Sequence, residues 1–114
     1  MMEKYNFSGH PVAGFEVAPL VGVNLPTDGE ALRRYVRELI STLPGRDRLL
    51  AGAPVEVILP GLSWAAGAVM AEWHGQFGSF PTIRWSVRGE GGFVWPDTAR
   101  TDLQDVRDSA RLQR

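Results

Sequence analysis

The sequence predicts one α/β domain over residues 1–114, with a mostly parallel sheet and flanking helices. Short apolar runs rich in β-branched residues alternate with longer segments whose apolar residues recur at helical spacing. At the centre, a buried-strand pattern over residues 55–59 is broken by Pro60 and Gly61 and followed by an apolar helix over residues 63–77. A chain of 114 residues is long enough to bury a single core.

The composition excludes several classes of protein. The net charge of −1 gives no sign of a broad DNA-binding or membrane-binding surface, so any polyanion must be met locally. The chain has no cysteine, which excludes disulfides and thiolate metal sites, and two histidines argue against a histidine-rich metal site. No apolar run approaches the roughly 18 residues of a membrane span, and no signal peptide is visible. We therefore expect a cytoplasmic protein without a metal or other cofactor.

The first part of the chain predicts two strands and one helix. Residues 3–7 form the first strand pattern and residues 20–25 the second, with no helix of normal length between them. The helix begins at residue 26, where Thr27 and Glu30 have capping-box spacing. Its apolar positions fall on one stripe, namely Leu32, Val36, Leu39, Ile40 and Leu43. The arginines on the opposite face indicate a solvated surface rather than a phosphate patch. A Pro-Gly pair ends the helix, and residues 46–54 are expected to be a loop or a fraying turn.

The central strand and helix are joined by a turn suited to an anion. Ser63 stands where the N-cap of the helix is expected. Ala65, Ala66 and Gly67 leave the start of the helix without bulky side chains. A strand, a glycine turn and a helix start together present free backbone N–H groups.

The last part of the chain predicts a strand, a hairpin and a helix. Residues 82–88 alternate well enough to form a half-buried strand, and residues 93–95 are expected to pair back after a glycine-rich turn. Thr101 and Gln104 have capping-box spacing and predict a final helix over residues 101–112. We expect its core face to consist of Leu103, Val106 and Ala110.

Such an arrangement is typical of a Rossmann-like unit, in which ligands bind beyond the carboxyl ends of the parallel strands. Three segments are expected to meet there: residues 8–11, residues 60–63 and the neighbourhood of Arg88, with Arg84 nearer the opposite end. The resulting crevice would offer backbone donors, two hydroxyls, an imidazole and one guanidinium.

Four short motifs carry a resemblance to a known family. They are Asn6-Phe7-Ser8-Gly9-His10-Pro11, Leu59-Pro60-Gly61-Leu62-Ser63, His74-Gly75 and Phe80-Pro81-Thr82-Ile83-Arg84. In this order and spacing the chain resembles the Csx family numbered fifteen, an accessory group of type III CRISPR systems. The resemblance covers most of the chain and is strongest over residues 5–11 and 57–88. The chain departs from the family in carrying an extra Gly9 and in lacking a full helix between its first two strands.

The resemblance implies a homodimer of Rossmann-like domains, akin to those that sense cyclic oligoadenylates. The ligand would be a ring of 3′,5′-linked adenylates, with four as the expected number. A twofold dimer with two copies of one crevice would match the symmetry of that ring.

The residues expected to bind the ligand lie in the three converging segments and at the start of the central helix: Ser8, Gly9, His10, Pro11, Pro60, Gly61, Leu62, Ser63, Ala66 and Arg88. Each has a structural alternative. The two serines could instead form a turn or cap a helix, and for Ser63 capping and ligand contact are equally favoured. His10 could instead lie in an exposed turn, and Arg88 could form a surface ion pair. Trp64 and Trp95 suit base stacking or core packing. His74, at the far end of its helix, is expected to have a structural or helix-dipole role.

Three functions remain open from the sequence. The first is a protein that binds and sequesters cyclic tetra-adenylate, damping the effectors that the ring activates. The second is a metal-independent ring nuclease of the same ligand, in which Ser8 and His10 assist attack by the 2′-hydroxyl. The third is a protein–protein adaptor without a ligand, in which the apolar helix and Trp64 form the interface.

Overall fold

The computed structural model describes residues 2–15 and 25–114. Except for Leu25, the strand expected over residues 20–25 lies outside the described residues. The elements in chain order are β1 (Glu3–Asn6), α1 (Gly29–Ser41), α2 (Arg46–Leu50), β2 (Val55–Ile58), α3 (Ser63–Phe77), β3 (Thr82–Arg84), β4 (Val87–Gly89), β5 (Gly92–Val94), β6 (Arg100–Asp102) and α4 (Leu103–Arg111).

A four-stranded sheet with the order β1-β2-β3-β6 forms the centre of the fold. The pairs β1–β2 and β2–β3 are parallel, whereas β6 lies antiparallel to β3. Strands β4 and β5 form a separate antiparallel hairpin. The α/β class is therefore confirmed, with a mixed sheet.

Trp73 of α3 is the centre of the hydrophobic core. Its ring is almost fully buried and packs edge-to-face on Tyr5 and Phe7 of the first strand region, with ring centroids 6.1 and 6.4 Å away. Val36 and Ile40 of α1 are buried in the same cluster. The apolar stripe predicted for the first helix is thus confirmed, and α1 and α3 pack on one another beneath a shared face of the sheet.

The N-caps of α1 and α4 lie one residue beyond the predicted positions. Asp28, not Thr27, accepts the amide three residues further on, at 3.0 Å. Asp102, not Thr101, accepts the amide two residues further on, at 2.9 Å. A carboxylate caps as well as a hydroxyl and adds a negative charge at the positive end of the helix. Both capping-box assignments were therefore wrong.

The core face predicted for the last helix was also wrong. Only Leu103 packs against the core; Val106 is 52 % exposed, and Ala110 is exposed too. The helix follows the edge strand β6, so just its first turn reaches the interior. Residues 46–50, expected as a loop or turn, instead form the one-turn helix α2, which buries Leu49.

The strand predicted over residues 82–88 ends at Arg84. A parallel strand pairs only as far as its neighbour, and β2 ends at Ile58, the partner of Arg84. The chain then leaves the sheet and forms the hairpin, which confirms the predicted return strand with a shift of one residue. Strand β6 was missed because it has three residues, two of them charged.

Gly45 makes the tight turn between α1 and α2 possible. Its φ of +79° lies in the left-handed region. A Cβ atom there would lie 2.5 Å from Arg48 Nη2 and 2.7 Å from Glu3 Oε1. These two groups form an ion pair, with Arg48 Nε donating to Glu3 Oε1 at 2.6 Å.

The Tyr5 phenol is buried beside this ion pair and donates a hydrogen bond to the Pro44 carbonyl. Burial raises the pKa of Tyr5, Glu3 raises it further, and Arg48 opposes the shift. The pKa of Tyr5 is therefore higher in the folded than in the unfolded chain. The protonated phenol contributes fully to the free energy of unfolding at a pH below its unfolded pKa, and this contribution is lost as the pH rises through its folded pKa.

Replacing Gly45→Ala is expected to lower the free energy of unfolding by about 1–3 kcal/mol through backbone strain, with a further loss from the contacts with Arg48 and Glu3. Gly52→Ala is the control, because Gly52 has a φ of +90° and an added Cβ meets nothing within 4 Å. Urea unfolding of both variants measures the difference. Equal losses would show that the ion pair moves aside without cost.

The pH dependence of stability tests the Tyr5 environment. We expect the free energy of unfolding of the wild type to fall more steeply above about pH 10 than that of Tyr5→Phe, which has no phenol to ionise. Below that pH the two curves should run parallel, with the variant lower because the Pro44 hydrogen bond is lost. Denaturant unfolding between pH 8 and 11 gives both slopes, and parallel curves throughout would contradict the expectation.

Candidate functional site

A crevice of about 660 Å³ opens at the carboxyl ends of β1, β2 and β3. The in-register pairing places Asn6, Ile58 and Arg84 in one row across these strand ends. Neighbours in such a row point to the same face of the sheet. Tyr5 and Val57, one residue earlier, point to the opposite face, where the core lies. The row therefore belongs to the face turned away from α1 and α3.

The crevice brings together half of the predicted ligand-binding residues. Its lining includes Ser8, His10, Pro11, Pro60 and Gly61. The other half do not line it, namely Gly9, Leu62, Ser63, Ala66 and Arg88. Gly9 sits within the lining loop and has a φ of +82°, a conformation that favours glycine at this turn.

Asn6 shapes the loop that forms one wall of the crevice. Its buried side chain donates from Nδ2 to the His10 carbonyl at 2.6 Å. Its Oδ1 accepts from the Ser8 amide at 2.9 Å and from the Ser8 hydroxyl at 2.6 Å. This local pattern, in which an Asn amide bonds to the backbone two residues on, is a recognised turn former. The sequence analysis quoted Asn6 in a motif but assigned it no role.

The Ser8 side chain makes its hydrogen bonds within its own loop, and the His10 side chain is exposed. The Ser8 hydroxyl already donates to Asn6 and accepts from the His10 amide at 3.2 Å. The exposed His10 imidazole makes no hydrogen bond to any described residue. A serine nucleophile needs a base within hydrogen-bond reach and a third group that orients the base. Within the described residues neither is supplied at this loop.

The start of α3 differs from its prediction. Leu62 occupies the N-cap without a side-chain acceptor, and Ser63 is the first helical residue, so Ser63 does not cap the helix. Both residues are exposed and lie outside the lining, whereas Gly61 lines the crevice. The Ala66 amide bonds to the Leu62 carbonyl at 2.9 Å and is used by the helix itself. The first backbone amides of α3, which have no acceptor within the helix, therefore follow closely after the lining residue Gly61.

The guanidinium in the crevice is that of Arg84, not Arg88. Arg88 lies on β4, is exposed and stands over the Phe93 ring, 5.7 Å from its centroid. The expected position of Arg84 near the opposite end of the sheet was wrong because the strand stops at this residue. A signal was available: the central strand was predicted over residues 55–59 and its neighbour over residues 82–88, so the longer strand could not pair with the shorter one along its whole length.

Aromatic side chains close the other side of the crevice. Trp85, Phe93 and Trp95 line it, and the first two are exposed. Of these three, Trp95 was predicted for base stacking; Trp85 and Phe93 were not, and they lie where the chain leaves the sheet for the hairpin. Trp64 is exposed on the first turn of α3 but does not line the crevice. Flat rings beside a guanidinium are well suited to hold a purine.

His74 lies elsewhere. It occupies the last turn of α3, and its ring packs on Phe80 with centroids 4.5 Å apart. This placement agrees with a structural or helix-dipole role and brings no second imidazole to the crevice.

A second groove, of about 580 Å³, runs between α1 and α3. Its arginines are partly engaged: Arg37 pairs with Glu72 at 3.3 Å, and Arg46 donates to Gln76 at 3.1 Å. Gln76 in turn donates to Glu72 at 2.8 Å. The groove therefore has the character of a solvated helix surface, as the sequence predicts.

Comparisons of this chain with protein-family models, curated proteins and solved structures found no match. Over residues 2–15 and 25–114, no helix has the length and apolar character needed to cross a bilayer. In the same part of the chain, no three His, Asp or Glu side chains are grouped to hold a metal ion.

The role of Asn6 can be tested by removing its side chain. We expect Asn6→Ala to lower the free energy of unfolding by about 1–3 kcal/mol, because the hydrogen bonds of its buried side chain to Ser8 and His10 are lost. Ser8→Ala is the matched control: it removes one hydroxyl and keeps the bonds from Asn6 to the loop backbone. Urea unfolding and amide exchange at Ser8 measure the two effects. Similar losses in both variants would contradict the assignment of Asn6 as the organiser of the loop.

Proposed function

We propose that this chain is a Rossmann-like domain that binds cyclic tetra-adenylate in the crevice at the carboxyl ends of β1, β2 and β3, and sequesters it. The ligand comes from the resemblance to the Csx family numbered fifteen. One observation supports it above all: Arg84, His10 and three aromatic side chains face the same crevice.

The chemistry of the crevice suits a nucleotide. A guanidinium and an imidazole are donors to phosphate oxygens, and aromatic rings stack on adenine. The exposed amides at the start of α3 border the crevice and favour negative charge nearby. Charged donors on one side and rings on the other would hold the phosphates and the bases of one ligand at once.

The size of the crevice supports a dimer. A volume of about 660 Å³ is typical of a pocket for a drug-sized ligand, and a ring of four nucleotides is larger. Two crevices facing each other across a twofold axis would enclose such a ring, each holding half of it. The exposed apolar side chains of the hairpin, Val87, Phe93 and Val94, lie next to the crevice and are available for contact between protomers.

The hydrogen bonds of Ser8 and the exposed position of His10 favour sequestration over cleavage. A ring nuclease would need the 2′-hydroxyl held in line with its phosphate and a group that stabilises the developing charge. The Ser8 hydroxyl is committed to Asn6, and the His10 imidazole lacks an orienting partner among the described residues. A ring nuclease in which Ser8 and His10 assist attack by the 2′-hydroxyl is the second candidate function.

A binding assay with radiolabelled cyclic tetra-adenylate tests the proposal. We expect a native gel to show a shifted complex and a denaturing gel to show the intact ring. Linear products would indicate the ring nuclease, and no shift would indicate the ligand-free adaptor. His10→Ala should weaken binding about tenfold or more, because a hydrogen bond to a charged group contributes about 1.5–3 kcal/mol.

Arg88→Gln is the matched control for this assay. It removes a positive charge from the exposed hairpin; Arg88 itself does not line the crevice, and its contact with the lining ring of Phe93, 5.7 Å from the centroid, is weak at an exposed site. We expect it to bind as the wild type does. Loss of binding in Arg88→Gln with full binding in His10→Ala would contradict the placement of the ligand.

A further inference from the structure

A buried carboxylate lies behind the crevice between two arginines. The Glu56 side chain is 2 % exposed, on the same sheet face as Arg84. Arg100 of β6 donates to Glu56 Oε2 at 3.0 Å, whereas Arg84 Nη1 lies 3.8 Å from Glu56 Oε1. Glu56, Arg84 and Arg100 together carry one net positive charge, which the exposed Asp97 carboxylate on Arg84 balances in this structure.

Some N–H groups of the Arg84 guanidinium have no acceptor among the described residues. Its side chain is only 11 % exposed, and its Nε is shielded from solvent with no acceptor among the described residues. Its Nη1 is beyond hydrogen-bond distance of Glu56. Its Nη2 donates to the Trp95 carbonyl at 2.8 Å and to Asp97 Oδ1 at 3.3 Å. Shielded donors normally have partners, so this group is placed to bind a further anion.

We infer that Arg84 is the phosphate contact of the crevice and that Asp97 competes with the ligand for it. The inference rests on the proposed function and names the group recognised, a singly charged phosphodiester. A phosphodiester matches the one net positive charge and offers two oxygens to the planar fork of the guanidinium.

Asp97 is suited to be displaced. Its side chain is 96 % exposed, so its ion pair with Arg84 is screened by solvent and holds weakly. The Trp95 carbonyl accepts from the same Nη2 at 2.8 Å, and this bond remains to orient the guanidinium when Asp97 leaves. A ligand phosphate can therefore replace the Asp97 carboxylate without moving the arginine.

Two substitutions test the inference because they should act in opposite directions. Arg84→Gln is expected to weaken binding of cyclic tetra-adenylate at least tenfold, and Asp97→Asn to strengthen it about twofold to fivefold. The Asp97 effect should shrink at high salt, because the competing charge is exposed. Arg88→Gln again serves as the control. Equal affinities of Arg84→Gln and the wild type, or weaker binding by Asp97→Asn, would overturn the inference.

A second measurement uses the wild type and remains valid if Arg84→Gln fails to fold. The NMR signal of the Arg84 Nε–H is followed while adenylyl-3′,5′-adenosine, which has one phosphodiester, or adenosine, which has none, is added. We expect only the dinucleotide to shift the signal. Equal shifts with adenosine, or no shift with either probe, would overturn the inference.

The two proposals can fail separately. If the wild type does not bind the ring but the dinucleotide shifts the Arg84 signal, then Arg84 is a phosphate contact and the proposed function is wrong. A wild type that retains the ring while the Arg84 signal stays unchanged has the proposed function with a different phosphate contact.

Discussion

The register of the three parallel strands is the constraint on which the site depends. Pairing of Asn6 with Ile58, and of Ile58 with Arg84, brings residues that are far apart in the sequence to one edge of the sheet. Asn6 then shapes the wall formed by residues 8–11, and Arg84 supplies the charge. A slip of one residue would turn all three side chains toward the core.

The two faces of the sheet serve stability and binding separately. Tyr5 and Val57 point toward Trp73 and the two packed helices, where close ring contacts fix the strands. Glu56 and Arg84 point the other way, so polar groups are gathered on one face without disturbing the core. Alternation with a period of two makes this separation possible within strands of three or four residues.

Local patterns were enough to predict the central strand, the turn and the helix, since these depend on nearby residues. They were also enough for the loop that carries His10. They placed the guanidinium wrongly because the alternation from Thr82 to Arg88 is compatible with a long strand, and only the length of the neighbouring strand limits it. The cap positions shifted by one residue because Asp28 directly follows Thr27 and aspartate is the better N-cap of the two.

Arg84 keeps unpaired N–H groups because a second arginine, Arg100, makes the close contact with Glu56. A carboxylate buried in a sheet needs a cation, and a close pair with two bonded oxygens would be the usual solution. Here Arg100 arrives from the antiparallel edge strand and takes Oε2, while Arg84 stays 3.8 Å from Oε1. If Arg84 served only to neutralise Glu56, it would be expected to close that distance. Its Nη2 instead donates to the Trp95 carbonyl and to Asp97, and the Asp97 carboxylate is almost fully exposed.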